Sequence, residues 1–323
     1  MKVTILTAVY NAEKYLRESL DSALSQTHKD IEVLCVDDCS TDSSWAILQE
    51  YAAKDSRVRI WKQEKNQGQA VARNRALQHA EGDVVMFLDA DDLLSHDAVE
   101  KAVEAFSEHK DTGCVLFQCC NLYEDGRTEK YNQQPFSCLS GYDAFVKSLT
   151  WQIHGIYAVR ADIHRQHPYD TSCRHYSDDN TTRIHYYVSK EVHECDGIYY
   201  YRQNAESVTH KVSTSRLDYL RANSSMRRQL IALNCSADII ATYENHRWLN
   251  LLGVWLWYAR HRHYFSSDER RYCLSEFRKA WESIDTAVLQ KRNKLKPGYY
   301  PFRNHWLLFR IELELFAFAR KFR

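Results

Sequence analysis

Residues 84–92 read VVMFLDADD: five apolar residues run directly into Asp89, Asp91 and Asp92, with only Ala90 between the first two acids. An apolar run of this length that ends in turn residues is a buried strand. Three carboxylates delivered to one point by such a strand imply a shared cation or an acid that titrates abnormally, because like charges this close repel. Working outward, the pattern recurs. Residues 3–9, 31–36 and 58–61 read as strands. Leu16, Leu20 and Leu24 mark a helical stripe with Asn11 as its cap. Trp45, Leu48 and Tyr51 mark another, residues 68–80 a third, and Val99, Val103 and Phe106 a fourth. The βαβαβαβα series predicts an α/β fold, a mostly parallel sheet with helices on both faces. Ligands bind such sheets beyond the C-terminal strand ends. There the chain places Tyr10-Asn11, Asp37-Asp38-Cys39-Ser40 and Asp89-Ala90-Asp91-Asp92.

Composition bounds the possibilities. With 323 residues, 44% hydrophobic and 13% aromatic, the chain can bury the core of one large domain or two ordinary ones, which excludes disorder. The 43 basic side chains balance 43 acidic ones, so bulk charge gives no reason to expect nucleic acid. The balance is uneven along the chain: residues 1–210 hold 22 Lys and Arg against 33 Asp and Glu, and residues 211–323 hold 21 against 10. Two regions with different partners follow from that asymmetry. No secretory leader pattern opens the sequence and no apolar run reaches membrane-spanning length. The ten cysteines lack paired metal or disulfide spacing, so a reduced, cytoplasmic compartment is expected. The dinucleotide fingerprint GxGxxG and the phosphate loop GxxxxGK[ST] are both missing after the first strand.

Four segments in order, TAVYNAEKYL (7–16), VDDCSTD (36–42), NQGQAVARNRAL (66–77) and GDVVMFLDADD (82–92), resemble the N-terminal half of glycosyltransferase family 2, the inverting nucleotide-sugar transferases of GT-A fold. The likeness is strong to about residue 110 and weaker to about 210. It implies a GT-A catalytic domain over 1–210, with 1–110 binding the nucleotide sugar and 111–210 supplying the acceptor side and the base, followed by a helical region over 211–323. It further implies that Thr7, Ala8, Tyr10 and Asn11 surround base and ribose. Asp38 and Ser40 would lie at the base, with Asp38 accepting the uracil imide N–H, its alternative being a helix cap. Gly68, Arg73 and Asn74 would approach the phosphates, Arg73 alternatively bracing the acidic loop or standing in a surface ion pair. Asp91, with Asp89, is implied to hold Mn2+ or Mg2+ across the diphosphate. Asp89 more often faces the ribose in that family, Ala90 belongs with it to the nucleotide-sugar site, and Asp92 is expected as a helix N-terminal charge. Where the family usually has Gly, the chain has Cys39, so the turn is expected to avoid a glycine-only conformation.

An inverting transfer needs a base for the acceptor hydroxyl. RHYSDDNTTRIHYY (174–187) resembles the family's acidic motif before a helix, making Asp179 the base and Asp178 its neighbour. A helix cap with ion pairs to Arg174, His175, Arg183 and His185 is the alternative. YYYRQNAESVTH (199–210) resembles the segment closing over the donor. There Arg202 would meet the diphosphate and residues 207–210 would form a loop. Asn204 stands where the family often has His. Trp151 or Tyr157 would stack on a sugar ring or pack in the core. The passages 246–265 and 299–323 mix Trp, Phe and Leu with Arg and Lys. That mixture fits either a helix in the interface of an anionic inner leaflet, near lipid-linked acceptors, or a packed helical subdomain. Two function classes stand: a metal-dependent inverting hexosyl- or N-acetylhexosaminyl-transferase using a UDP-sugar, and a nucleotide-sugar-binding relative without transfer activity.

Overall fold

The computed structural model describes residues 1–203, 212–299 and 305–319; Asn204 and residues 207–210 lie outside them. The elements are β1 (Val3–Val9), α1 (Leu16–Leu24), β2 (Ile31–Asp37), α2 (Ser44–Lys54), β3 (Val58–Lys62), α3 (Gln69–Leu77), β4 (Val84–Phe87), β5 (Leu93–Leu94), α4 (Ala98–Glu108), β6 (Thr112–Leu122), β7 (Thr128–Lys130), β8 (Cys138–Ser140), α5 (Gly141–Ser148), β9 (Tyr157–Arg160), α6 (Ala161–Gln166), α7 (Asp178–Val188), β10 (Glu191–Arg202), α8 (Asp218–Ala232), α9 (Ala237–His261), α10 (Ser267–Ser283), α11 (Lys291–Lys294) and α12 (Trp306–Ala319). They form two compact units. One is built on Met1–Arg174 and the chain resumed at Thr181, and the other on His175–Asn180 and the C-terminal helices.

In the first unit each central strand feeds two cores. Val3, Ile5 and Val9 of β1, Val33 and Cys35 of β2, and Val84 and Met86 of β4 pack with Leu16, Leu20, Leu48, Val99 and Phe106 on one face. Leu6, Leu34, Val36 and Val85 point to the other face, onto Ala72, Ala76, Ala144 and Tyr186. The period-2 alternation within runs that are apolar on both sides is what a sheet covered on both faces requires. Strand order is β3-β2-β1-β4-β9-β6-β10-β5, with β7 on β6 and β8 on β10. The pairs β3·β2, β2·β1 and β1·β4 are parallel, as the alternation predicts. Beyond β4 the sheet is mixed: β9 runs antiparallel to both neighbours, and β10 returns parallel to β6.

The second unit buries Trp248, Trp255, Tyr258, Phe277, Phe309 and Leu313 in one cluster, with the Trp255 ring 4.7 Å from that of Phe277. The tryptophans at 248 and 255 are therefore core residues, and that part of the passage 246–265 follows the packed-subdomain reading. Inside this unit Glu244 is buried and accepts from Arg247 at 2.9 Å and from Arg227, while Arg247 also donates to Ser283 Oγ at 2.5 Å. Pairing of this kind is needed before a charge can be buried. Helix α10 opens on a capping box between Ser266 and Glu269. Among the described residues no helix is long and apolar enough to cross a membrane. All ten cysteines are free thiols.

Gly141 opens α5 where the helix meets the end of α7. A Cβ there would lie 2.1 Å from the Ser189 carbonyl oxygen and 2.5 Å from that of Tyr186, and backbone cannot yield as a side-chain tip can. Gly141→Ala is expected to destabilise the protein by about 2–3 kcal/mol through overpacking, read as a lower urea midpoint at unchanged slope. A midpoint equal to that of the parent would contradict this close approach.

Candidate active site

The acidic turn after β4 is held from three sides. Arg73, projecting from α3, is 2% exposed, donates through Nη2 to Asp89 Oδ1, and lies over the rings of Phe87 at 4.3 Å and Tyr169 at 5.4 Å. Tyr199 on β10 accepts from the Asp89 amide at 3.1 Å and donates its hydroxyl to Asp92 Oδ2 at 2.8 Å. Arg202, at the end of β10, donates its backbone N–H to Asp92 Oδ1 at 2.7 Å, Nε to the Asp91 carbonyl at 2.7 Å and Nη2 to Glu18 at 2.7 Å, its guanidinium 4.3 Å from the Tyr15 ring centre. Antiparallel pairing of β5 with Tyr199 and Tyr200 of β10 sets these contacts in register.

Electrostatics follow from the crowding. Burial, reinforced by the neighbouring Asp89 charge, pushes the Asp91 carboxyl up to about 6. Burial likewise raises Asp92 well above the usual carboxylate range, helped by the charges of Asp89 and Asp91. Among the described residues no side chain donates a hydrogen bond to the Asp91 carboxylate, and one oxygen of Asp89 is taken by Arg73. Oxygen donors two residues apart, with one acid pushed toward protonation, suit a hard divalent cation.

The second strand end makes an adjoining loop cluster. Asp38, 3% exposed, accepts from Gln63 Nε2 at 2.6 Å and from the backbone N–H groups of Gln67 at 2.8 Å and Gly68 at 2.7 Å. Gly68 takes φ +93°, which glycine alone adopts at little cost, and α3 starts at the next residue. Across the loop from the first strand, Asn11 Oδ1 accepts from the Thr41 N–H at 2.8 Å and Ser40 Oγ accepts from the Asn11 N–H at 3.0 Å.

A family model for glycosyl transferase family 2 matches residues 4–167, about half of the chain. The chain belongs to glycosyl transferase family 2. TuaG of Bacillus subtilis (strain 168), named for teichuronic acid biosynthesis, is 44% identical over 106 residues, 33% of this chain and 42% of TuaG; the chain thus spans about two-fifths of that relative's length. Among solved structures, S. aureus TarS 1-349 in complex with UDP-GlcNAc superposes with a TM-score of 0.75 at 18% identity, over 98% of this chain and 89% of that one. The mannosyltransferase PcManGT from Pyrobaculum calidifontis, in complex with GDP-Man and Mn2+, gives 0.53 at 16% identity, over 99% and 88%. Likeness at these identities is one of fold: the GT-A fold with a helical C-terminal region.

Several of the family expectations meet a specific environment. Arg73 is a buried brace on the acidic turn, so the surface ion pair is excluded for it. Asp38 is no helix cap; its carboxylate orders the Gln67-Gly68 loop. Asn74 donates to the Tyr169 carbonyl and accepts from the Tyr169 N–H, both at 2.8 Å, which makes it a backbone clamp. Thr7 is buried, Ala8 half-buried and Tyr10 exposed. Three expectations are corrected. Asn11 does not cap α1, whose N-cap position is Tyr15; it sits at φ +48° and bonds to Thr41 instead. Cys39 occupies φ +64°, the left-handed region that the missing glycine would have favoured. Asp92 is not a helix N-terminal charge, because α4 begins only at Ala98 and Asp92 is buried against Tyr199 and Arg202.

Asp178 and Asp179, both half-buried, form the first turn of α7. The residues expected around them stand as follows. Arg174 donates to Asn66, His175 lies 3.3 Å from Asp218, Arg183 lies over Trp151 at 5.6 Å, and His185 is buried between the Tyr157 hydroxyl and the His167 carbonyl, each at 2.7 Å. Tyr157 is thus a core residue, while Trp151 is 41% exposed. Sequence reasoning missed Tyr199, Glu18, Gln63 and Gln67. Tyr199 is separated from Asp92 by 107 positions, and a tyrosine within a run of three carries no local mark of such a bond.

Because its folded-state acidity is weakened, Asp91 opposes folding once it must ionise. Native protein holds this proton up to pH of about 6 and the unfolded chain releases it lower, so the group's contribution to stability is lost as pH rises through that window. Asp91→Asn is expected to stabilise the metal-free protein by about 1–2 kcal/mol near pH 8, a figure discounted for partial exposure, and by almost nothing near pH 4. Thermal melts at the two pH values test this, and equal stabilisation at both would assign the effect to something other than charge.

Proposed function

We propose that this protein is a metal-dependent inverting glycosyltransferase, moving a hexosyl or N-acetylhexosaminyl group from a nucleotide sugar, with UDP the favoured nucleotide, to a glycan or lipid-linked acceptor in surface-polysaccharide or glycoconjugate assembly. The observation that carries the reading is the Asp89–Asp91 pair at the end of β4, held rigid by Arg73, Tyr199 and Arg202 in a chain of this family. The name of TuaG supports the polysaccharide setting, and the UDP-GlcNAc in the TarS complex supports the donor.

In this reading Asp91, with Asp89, would hold Mn2+ or Mg2+, an ion also present in the PcManGT complex. When bound, such an ion supplies Lewis-acid neutralisation of the diphosphate leaving group. Arg73 keeps Asp89 in one rotamer, so the acid is pre-oriented. Asp38 holds the Gln67-Gly68 loop beside the base, with Ser40, Thr7, Ala8, Tyr10 and Asn11 around the nucleoside. Asp179 accepts the acceptor hydroxyl proton at a carboxylate oxygen as that hydroxyl attacks the anomeric carbon, and Asp178 stands beside it. A nucleotide-sugar-binding protein without transfer has no use for that base.

Calorimetry separates the parts. Asp91→Ala is expected to weaken Mn2+-dependent nucleotide-sugar binding by about 10-fold or more, whereas Asp179→Asn should lower turnover by roughly 10²–10⁴-fold with donor affinity within a few-fold. Turnover near the parent rate in Asp179→Asn would place the base elsewhere, and absence of turnover in the parent across nucleotide sugars would favour the binding protein.

Peripheral contact with a membrane surface is part of the proposal, resting on the exposed apolar stripe of α12. Leu307, Ile311 and Leu315, spaced to share one stripe, are 62%, 46% and 65% exposed, while Phe309 and Leu313 of the same helix are buried. Replacing the three exposed residues by Ser should reduce flotation with anionic vesicles several-fold. Equal recovery of parent and variant would remove the membrane from the reading.

A further inference from the structure

Cys138, Glu191 and His193 come together where the transfer chemistry has no use for them. Strand β8 pairs antiparallel with β10 in a register that sets Cys138 directly across from His193, and Glu191, two residues before His193, lies on the same face of β10. His193 Nε2 is 3.0 Å from Glu191 Oε2. One sulfur, one carboxylate oxygen and one imidazole nitrogen all fall within 4.8 Å of one another. The His109 ring stacks on that of His193 with centroids 4.1 Å apart and planes 14° from parallel, which holds the plane of the imidazole. His193 is buried, while Cys138 is exposed and reachable by an ion from solvent. These residues stand at the opposite end of β10 from Arg202 and the acidic turn.

We propose that Cys138, Glu191 and His193 form a zinc-binding site, with water completing a four-coordinate ion. The donor set is the argument. Thiolate and imidazole are ligands of choice for Zn2+, whereas Mg2+ and Mn2+ prefer all-oxygen sites such as Asp89 and Asp91. Zinc bonds of about 2.0–2.3 Å require only side-chain adjustment from the observed separations, because both strands are already paired at this point. On binding, Cys138 Sγ releases its proton to solvent and His193 enters as neutral imidazole, so the Cys and Glu charges balance the ion. Without an ion the two are poorly matched: partial burial, then the Glu191 charge, raise the Cys138 thiol. Strand β8 is only three residues long, too short to be secure by its ladder alone, and zinc would fasten it to β10.

The test uses the full-length protein, reduced with a phosphine. Competition with a chromophoric chelator should show one Zn2+ bound, and Co2+ substitution should give a near-ultraviolet thiolate-to-cobalt charge-transfer band. Cys138→Ser should lose the band and weaken zinc at least about 10-fold, and His193→Gln should weaken it similarly. Asp91→Ala should retain both band and affinity, and Cys138→Ser should keep Mn2+-dependent donor binding, showing that it folds. No charge-transfer band in the parent protein, or parental zinc affinity in Cys138→Ser, would overturn the proposal.

Discussion

Mutual repulsion among three carboxylates at the end of one buried strand is the constraint on which the rest of the first unit depends. Each acid has a different counterweight. Asp89 has a buried guanidinium and Asp92 has a tyrosine hydroxyl and a backbone amide, whereas among the described residues no side chain donates to Asp91. Asp91 is half-buried, and its ionisation is pushed toward neutrality. A site in that condition is poised to gain from a cation, because neutralisation removes both the repulsion and the cost of burying charge.

Helix α3 links this turn to the second strand end. At its N-terminus the Gly68 amide is tied to Asp38, and further along Arg73 reaches Asp89. Asn74 then clamps the Tyr169 backbone from the same helix. One backbone amide and two polar side chains within seven positions thus fasten three loops to one rigid element, so the loops inherit the helix's precision without regular structure of their own. This explains why the segment is polar yet largely buried.

The second unit shows how composition misleads. Tryptophan and arginine in alternation read equally well as a membrane-facing helix and as a core edged with solvated charge. In α9 the tryptophans pack inward and Arg247 is buried with Glu244. In α12 the apolar residues divide between an inward pair and an exposed stripe. Among the described residues α12 retains the exposed apolar stripe that the compositional argument needs.

By itself the sequence determined that β1 to β4 are strands of a mostly parallel sheet, since apolar runs and helical stripes are local and their alternation allows few topologies; their order in the sheet came from the structure. It also located the strand ends at which Asp38 and Asp89–Asp91 gather, because motif and strand end are adjacent in the chain. Tertiary structure alone decided where β9 and β10 enter, as their pairing joins residues far apart whose patterns are ambiguous in isolation. It decided the partners of each acid for the same reason: Arg73, Tyr199 and Arg202 reach the turn through space, and nothing in their neighbouring residues marks them for it. Backbone conformation at Cys39 belongs to this second class, since a left-handed cysteine is imposed by its loop and not by its own preference, whereas Asn11 is a residue type that tolerates that region.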